Sequence, residues 1–394
     1  MAIERPALAL PAVLACFLAF GCTEPGPEQS PTSPADLDSA LPATPGLAPN
    51  SSTASPPGRG APTLSGRTPS STTTAEPEPT DWRYDRPDNH GLDPEALQAF
   101  HSALADSQIH ASVIVKDGYI VDEYYGPGYD ETSLFELNSC TKSFTGALIG
   151  VALEEGLIDS ISDPIAKYFP PVARAEGEYW QRITVEHLLT HSSGLDWEGS
   201  GTSWQEWRGS DNWTDFILNR TIGGEPGLRF NYSTMGVHLL TAAFEEASGR
   251  ALDDYGREHI FEPLGMRSAH WGKGPDGVTD GGNGLTMNVH DAAKFGQLFL
   301  NGGSWDGRQL IPAAWIAKST SVQAPDTRRP SQYGYQWWIR EFAGYNTYLA
   351  QGHGGQVIFV VPELGLVTVF TSSYGGESSA PFPYFEDYVL AALV

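Results

Sequence analysis

Ser139 and Lys142 stand three residues apart in the segment Leu137-Asn138-Ser139-Cys140-Thr141-Lys142-Ser143-Phe144. From Leu137 through Leu153, Lys142 is the only charged residue. Such a run predicts a helix covered on most sides, and lysine is rarely buried without a partner or a purpose. Burial penalises the ammonium and lowers its pKa, so a neutral amine becomes accessible near pH 7. A spacing of three puts hydroxyl and amine on one helical face. At the helix N-terminus, free N–H groups and the dipole favour a developing oxyanion. A hydroxyl beside such an amine is an activated nucleophile for acyl transfer. The plainer reading is an N-cap serine and a lysine snorkelling to water.

Other reactive side chains carry weaker signals. His187 and His191 are four apart and could share a helical face, but Glu186 precedes the pair instead of following its first histidine, so the zincin pattern is not met. They read as structural, and no metal or organic cofactor is expected. Cys140 adjoins Ser139 but points about 100° away from it on a helix, which suits a packed small hydrophobe. Trp197, Trp204, Trp207 and Trp213 interleave with Gly and Ser. They read either as local packing or as a loop over a cleft. No G-x-S-x-G elbow is present.

Three boxes recur in order along the chain. Ser139-Cys140-Thr141-Lys142 matches an S-x-x-K box, and Pro226-Gly227 through Phe230-Asn231-Tyr232-Ser233-Thr234 matches the region of a Y-x-N box. Gly352-His353-Gly354-Gly355-Gln356 falls where a K-T-G box is expected, and Ile183 through Leu195 reads ITVEHLLTHSSGL. On these motifs residues 81–394 resemble the serine β-lactamase and penicillin-binding-protein superfamily, nearest its class C-like branch of D-alanyl-D-alanine carboxypeptidases, esterases and 6-aminohexanoate-dimer hydrolases. The resemblance implies Ser139 as the acylated nucleophile, Lys142 as its base or proton shuttle, and Tyr232 as a proton relay, with its phenolate favoured by nearby positive charge. It implies an oxyanion hole from the backbone N–H groups of Ser139 and Gln356. Which of Lys142 and Tyr232 is the acylation base stays open. Two departures bear on the substrate. Thr234 replaces the asparagine of Y-x-N and lacks an amide's combined donors and acceptor. His353 and Gly354 replace the lysine and hydroxyl residue that bind a substrate carboxylate; with Gly355 they line the expected substrate site, and recognition of penicillins or D-Ala-D-Ala ends should be weaker.

These residues need elements to hold them. Asp93-Pro94 starts a helix running to about Ala105. Ala111–Lys116 and Tyr119–Tyr125 alternate as strands around an Asp117-Gly118 turn. Helices are expected at Cys140–Glu155, Val185–Thr190, Trp213–Leu218, Met235–Ala247, Leu252–Ile260 and Asp291–Leu300, then strands at Gly334–Arg340, Gln356–Val361 and Leu366–Thr371, and a last helix near Phe385–Leu393. The early strands need partners and only late ones are available. The fold class is therefore α+β: one antiparallel sheet from both ends of the domain, flanked by the terminal helices, with a helical second lobe at roughly 141–300 and a site between the two.

The chain has 394 residues and a net charge of −25. Residues 23–80 hold 13 Pro and 19 Ser or Thr but no aromatic residue, a composition that favours a disordered tether. Residues 81–394 carry −21 of the charge, which disfavours nucleic acid as a partner. The expected partner is a small ester, amide or D-amino-acid peptide. Residues 1–22 have a short charged start, an apolar run from Pro6 to Phe20 and then Gly21-Cys22, which resembles a bacterial lipoprotein signal. Cys16 is a competing lipidation site, and an ordinary secretory signal is the simpler alternative. The expectation is an exported hydrolase that meets a membrane only through an N-terminal lipid. The reading from another class is a non-catalytic tethered sensor on the same fold.

Overall fold

The computed structural model describes residues 82–170, 179–196, 202–328, 330–375 and 377–394. The leader and tether expected over 1–80 lie outside them. Strands β1 (Arg83–Tyr84), β2 (Ile109–Lys116) and β3 (Tyr119–Tyr125) come first. Short strands follow at β4 (Phe135–Glu136), β5 (His270–Trp271), β6 (Leu285–Met287), β7 (Ser304–Trp305) and β8 (Arg308–Gln309). The late strands are β9 (Gln332–Tyr333), β10 (Trp338–Phe342), β11 (Tyr345–Gly352), β12 (Gln356–Val361) and β13 (Leu366–Ser372).

Eight of them form one sheet in the order β1-β3-β2-β13-β12-β11-β10-β9. Every pair is antiparallel except β1 with β3, and the β2–β13 pair joins the two ends of the domain as expected. The Asp117-Gly118 turn has φ of 54° and 81°, the left-handed pair that matches strand twist in a two-residue hairpin. Both faces of the sheet are covered, so β12 reads as a continuous apolar run. Val357, Phe359 and Val361 face the helix Pro94–Ala105 and the C-terminal turns Phe382–Leu390. Phe359 stacks on Phe385 with ring centroids 4.0 Å apart. Ile358 and Val360 face the opposite cluster, which contains the helices Thr141–Glu154 and Val289–Leu300.

Thr141–Glu154 is the axis of the domain, and every residue from Thr141 to Ala152 is buried. Phe144 stacks on Phe295 of the Val289–Leu300 helix at 3.6 Å. That second helix lies directly on the sheet, so the helical lobe proper ends before it. The helices Val185–Leu189, Thr202–Arg208, Trp213–Leu218 and Thr234–Ser248 make up the helical lobe. Gly249 closes the last of them at φ 66°.

Three expectations change. The strand expected at Gly334–Arg340 is broken at Gln336, whose φ is 63°. Its carboxamide donates to the carbonyls of Leu188 and Leu189, and its own carbonyl accepts from Ser143 Oγ at 2.7 Å. β11 carries Asn346, Thr347 and Gln351 among its apolar residues, which hides the strand pattern. The helix expected to Ile260 is regular only over Leu252–Gly256, after which Arg257–Phe261 widens into π-type turns. Gly296 lets the Val289–Leu300 helix lie close on the sheet: a Cβ there would stand 2.6 Å from Val367 Cγ1 and 2.9 Å from Ile358 Cγ2. Gly296→Ala should therefore destabilise the fold by about 1–3 kcal/mol through overpacking, measured as a lower urea midpoint with an unchanged slope.

Candidate active site

Ser139 sits in a tight turn, Asn138–Cys140, that feeds the buried helix. Asn138 adopts φ 49°, a conformation asparagine tolerates better than most residues. Its side-chain amide donates to the His353 carbonyl at 3.0 Å, tying the serine turn to the end of β11. Cys140 is fully buried and its thiol donates to the Gln356 carbonyl at 3.3 Å. Burial pushes that thiol well above its ordinary range, so it is a packing residue.

Lys142 is 1% exposed. Its Nζ lies 2.9 Å from Ser139 Oγ and donates to the Gly282 carbonyl at 2.6 Å. Burial lowers its pKa to about 7, with Asp280 pulling in the opposite direction. Gly282 belongs to the run Asp280-Gly281-Gly282-Asn283-Gly284, which threads between two helices. A Cβ on Gly281 would stand 2.1 Å from Thr241 Oγ1, and one on Gly282 would stand 2.6 Å from Thr234 Cγ2. Sequence reasoning passed over this loop, though its three glycines in five residues were the available signal.

Tyr232 immediately precedes Ser233, the N-cap of Thr234–Ser248. Lys142 Nζ is 5.1 Å from the Tyr232 ring centroid. A hydrogen bond with Ser139 lowers the phenol's pKa, but burial outweighs it and pushes the phenol far above its usual value. The expected phenolate is therefore disfavoured. The ring stacks on Trp338 and lies 4.4 Å from that of His191. His191 Nδ1 accepts the Ser233 N–H at 3.1 Å, so Nε2 carries the proton and donates to Tyr333 Oη at 3.1 Å. Burial and Lys142 hold His191 neutral. His187 completes a capping box with Thr184. Both histidines are structural, and His191 is also a wall behind Tyr232.

The remaining expected residues are redistributed. Thr234 is 7% exposed with its methyl toward Gly282, and its hydroxyl makes no hydrogen bond among the described residues. Gln356 pairs with Gly352 across the β11–β12 ladder, and its carboxamide bonds Ser372 through both ends. It is a ladder residue that also lines the cleft beside the serine turn. Alternate strand residues address opposite edges. The Gly352 carbonyl faces β12, where it accepts from the Gly355 N–H, so His353 faces the free edge beside Asn138 and Ser139. Gly354 and Gly355, at φ 76° and 88°, make the turn that follows. Trp207 and Trp213 are core residues, and Arg208 lies 4.0 Å over the Trp213 ring. They are local packing with Trp204, while Trp197 lies outside the described residues.

A cleft of about 430 Å³ opens beside the serine turn. It is lined by Asn138, His353 and Gly354, by the stacked rings of His110 and Tyr129, and by Phe135 and Glu136. A cavity of about 680 Å³ around Phe261 and Trp271 shares no residue with it.

Known proteins fit this geometry. The family model described as Beta-lactamase matches residues 103–386. Penicillin-binding protein 4* of Bacillus subtilis is 32% identical over 186 residues, which span 43% of this chain but only 40% of that protein. The 6-aminohexanoate-dimer hydrolase of Paenarthrobacter ureafaciens is 22% identical over 71% of this chain and 76% of its own length. The octameric penicillin-binding protein homologue from Pyrococcus abyssi shares the fold, with a TM-score of 0.61 and 24% identity over 75% of this chain and 77% of that one. With a model that spans most of its length and this shared architecture, the chain belongs to the beta-lactamase family of serine hydrolases.

Proposed function

We propose that this protein hydrolyses an ester or amide through an acyl-enzyme on Ser139. The observation that carries the reading is the buried contact of 2.9 Å between Lys142 Nζ and Ser139 Oγ. When the amine is neutral, one of its N–H bonds remains on the Gly282 carbonyl and its lone pair faces the serine. Ser139 then donates its proton to Nζ as Oγ attacks the substrate carbonyl carbon. The displaced electron pair moves to the carbonyl oxygen, which the N–H groups of Ser139 and His353 receive. Collapse breaks the bond to the leaving group, which takes its proton from Lys142 by way of the Tyr232 hydroxyl. Water then attacks the acyl-serine by the same steps in reverse. Burial drives the lysine toward its basic form and the tyrosine away from phenolate, so Lys142 is the acylation base and Tyr232 the relay.

Ser139→Ala should abolish the mass increment left by a fluorophosphonate while the fold remains intact. Labelling that persists would move the nucleophile elsewhere. Lys142→Ala should lower acylation by about 100-fold or more at pH 7. Because the neutral amine is the active form, the wild-type rate should climb as pH rises through about 7 and level off above it. A limb centred near pH 10 would remove the perturbed lysine from the mechanism.

No lysine or arginine is among the described residues lining the cleft, and Glu136 adds a negative charge. Substrates with a free carboxylate should bind poorly. We expect p-nitrophenyl butyrate to turn over at least tenfold faster than nitrocefin, measured as kcat/KM, and the reverse order would reject an esterase-like preference. Absence of turnover on any ester, lactam or D-amino-acid amide would favour the sensor reading. The leader supports export with lipidation at Cys22: Cys22→Ser should shift the protein from the membrane to the soluble fraction, and unchanged fractionation would leave Cys16 or an unlipidated leader.

A further inference from the structure

Outside the reacting atoms, a buried carboxylate acts on the lysine and pairs with a partly exposed arginine. Asp280 has a side chain only 5% exposed, and its Oδ2 accepts from Arg208 Nη1 at 2.7 Å. Its other oxygen, Oδ1, has no hydrogen-bond partner among the described residues. The Asp280 carbonyl accepts the Gly284 N–H at 2.9 Å and the Trp271 indole N–H at 3.0 Å, which pins both ends of the loop carrying Gly282. Arg208 is held from the other side by the Trp213 ring at 4.0 Å. A buried carboxylate with one oxygen unpaired is costly, which directs attention to what its charge and its arginine partner do here.

We propose that the Arg208–Asp280 pair is the positioning device for Lys142: Asp280 fixes the Gly281–Gly282 turn that receives Nζ, and Arg208 cancels enough of its charge to leave the amine free to lose a proton. The inference rests on the proposed role of Lys142 as base. The groups facing Nζ are Ser139 and Cys140 from its own turn, Tyr232 and His191 from the opposite wall, and Asp280 with Arg208 behind the Gly282 loop. The two thiol and phenol groups are pushed up by burial and His191 is held neutral, so none of them changes charge near neutrality. Asp280 is then the one anion acting on the lysine among these groups, and Arg208 is the cation that offsets it.

The two partners must act with opposite sign. Arg208→Met leaves the carboxylate uncompensated and favours the ammonium. The acid limb of kcat/KM should then move up by about one pH unit, a tenfold lower rate below the midpoint. Asp280→Asn removes the anion and should move the limb down by a similar amount. The double variant should return toward the wild-type position, and Arg208→Lys should keep it. The ¹³Cε resonance of Lys142, titrated in each protein, reports the same displacement without relying on turnover. A residue that merely braces the loop would lower rates without opposite displacements. Folded single variants that both keep the wild-type limb and Lys142 titration would overturn the proposal. A wild-type protein whose Lys142 titrates near 7 but whose Lys142→Ala variant still acylates would instead overturn the mechanism on which it rests. If Arg208→Met fails to fold, the Asp280→Asn shift and the Arg208→Lys position decide the matter.

Discussion

An ammonium group removed from water is unstable unless a full set of partners replaces its hydration. Among the described residues, Lys142 has two hydrogen-bond contacts, the Gly282 carbonyl and Ser139 Oγ. Neither is an anion, and the carboxylate that acts on the lysine, Asp280, is already held by Arg208. The consequence is an amine poised between its two protonation states, next to a hydroxyl. The surrounding architecture maintains this constraint. The helix that carries Lys142 is covered along twelve consecutive residues, from Thr141 to Ala152. The Gly281–Gly282 loop enters where only a bare backbone fits. Tyr232 closes the remaining side and is itself backed by His191 and Trp338.

The same logic explains which features could be read from the sequence. Lys142 was legible because a single charge in seventeen otherwise uncharged positions is a strong local signal. The hairpin at Asp117-Gly118 and the caps at Asp93 and Gly249 were legible because they depend on residue chemistry alone. Features set by tertiary context were not. β11 is a strand because β10 and β12 flank it, not because its own residues alternate. Gln336 interrupts a strand to satisfy the carbonyls at the end of another helix, 147 residues away in sequence. The motif points to Gln356 as the second oxyanion donor, while strand alternation at the end of β11 also turns His353 toward the edge beside Asn138, and both residues line the cleft. The phenol's perturbation also has the opposite sign to expectation, since burial exceeds the influence of the neighbouring amine.

The sheet serves the site by fixing one edge. β10 pairs with β11 only up to Leu349, so the segment from Ala350 to His353 is left without a neighbour on that side. The serine turn occupies the vacant edge through the Asn138 amide. The nucleophile therefore belongs by contact to the sheet and by connectivity to the buried helix. That double membership gives it a fixed distance from both the donor edge and the lysine loop.

The pairing of β2 with β13 has a bearing on how the polypeptide is made. The serine and its base leave the ribosome well before residues 332–372, which supply five of the eight strands of the sheet. Until those strands arrive, the apolar helix that follows Ser139 can pack only on the helices around it, such as Val289–Leu300 through Phe144 and Phe295. Long-range pairing of this sort is slow and leaves sticky intermediates exposed. A nascent chain cut short before β13 lacks the strand that joins β2 to β12, so the two ends of the domain cannot yet meet in one sheet.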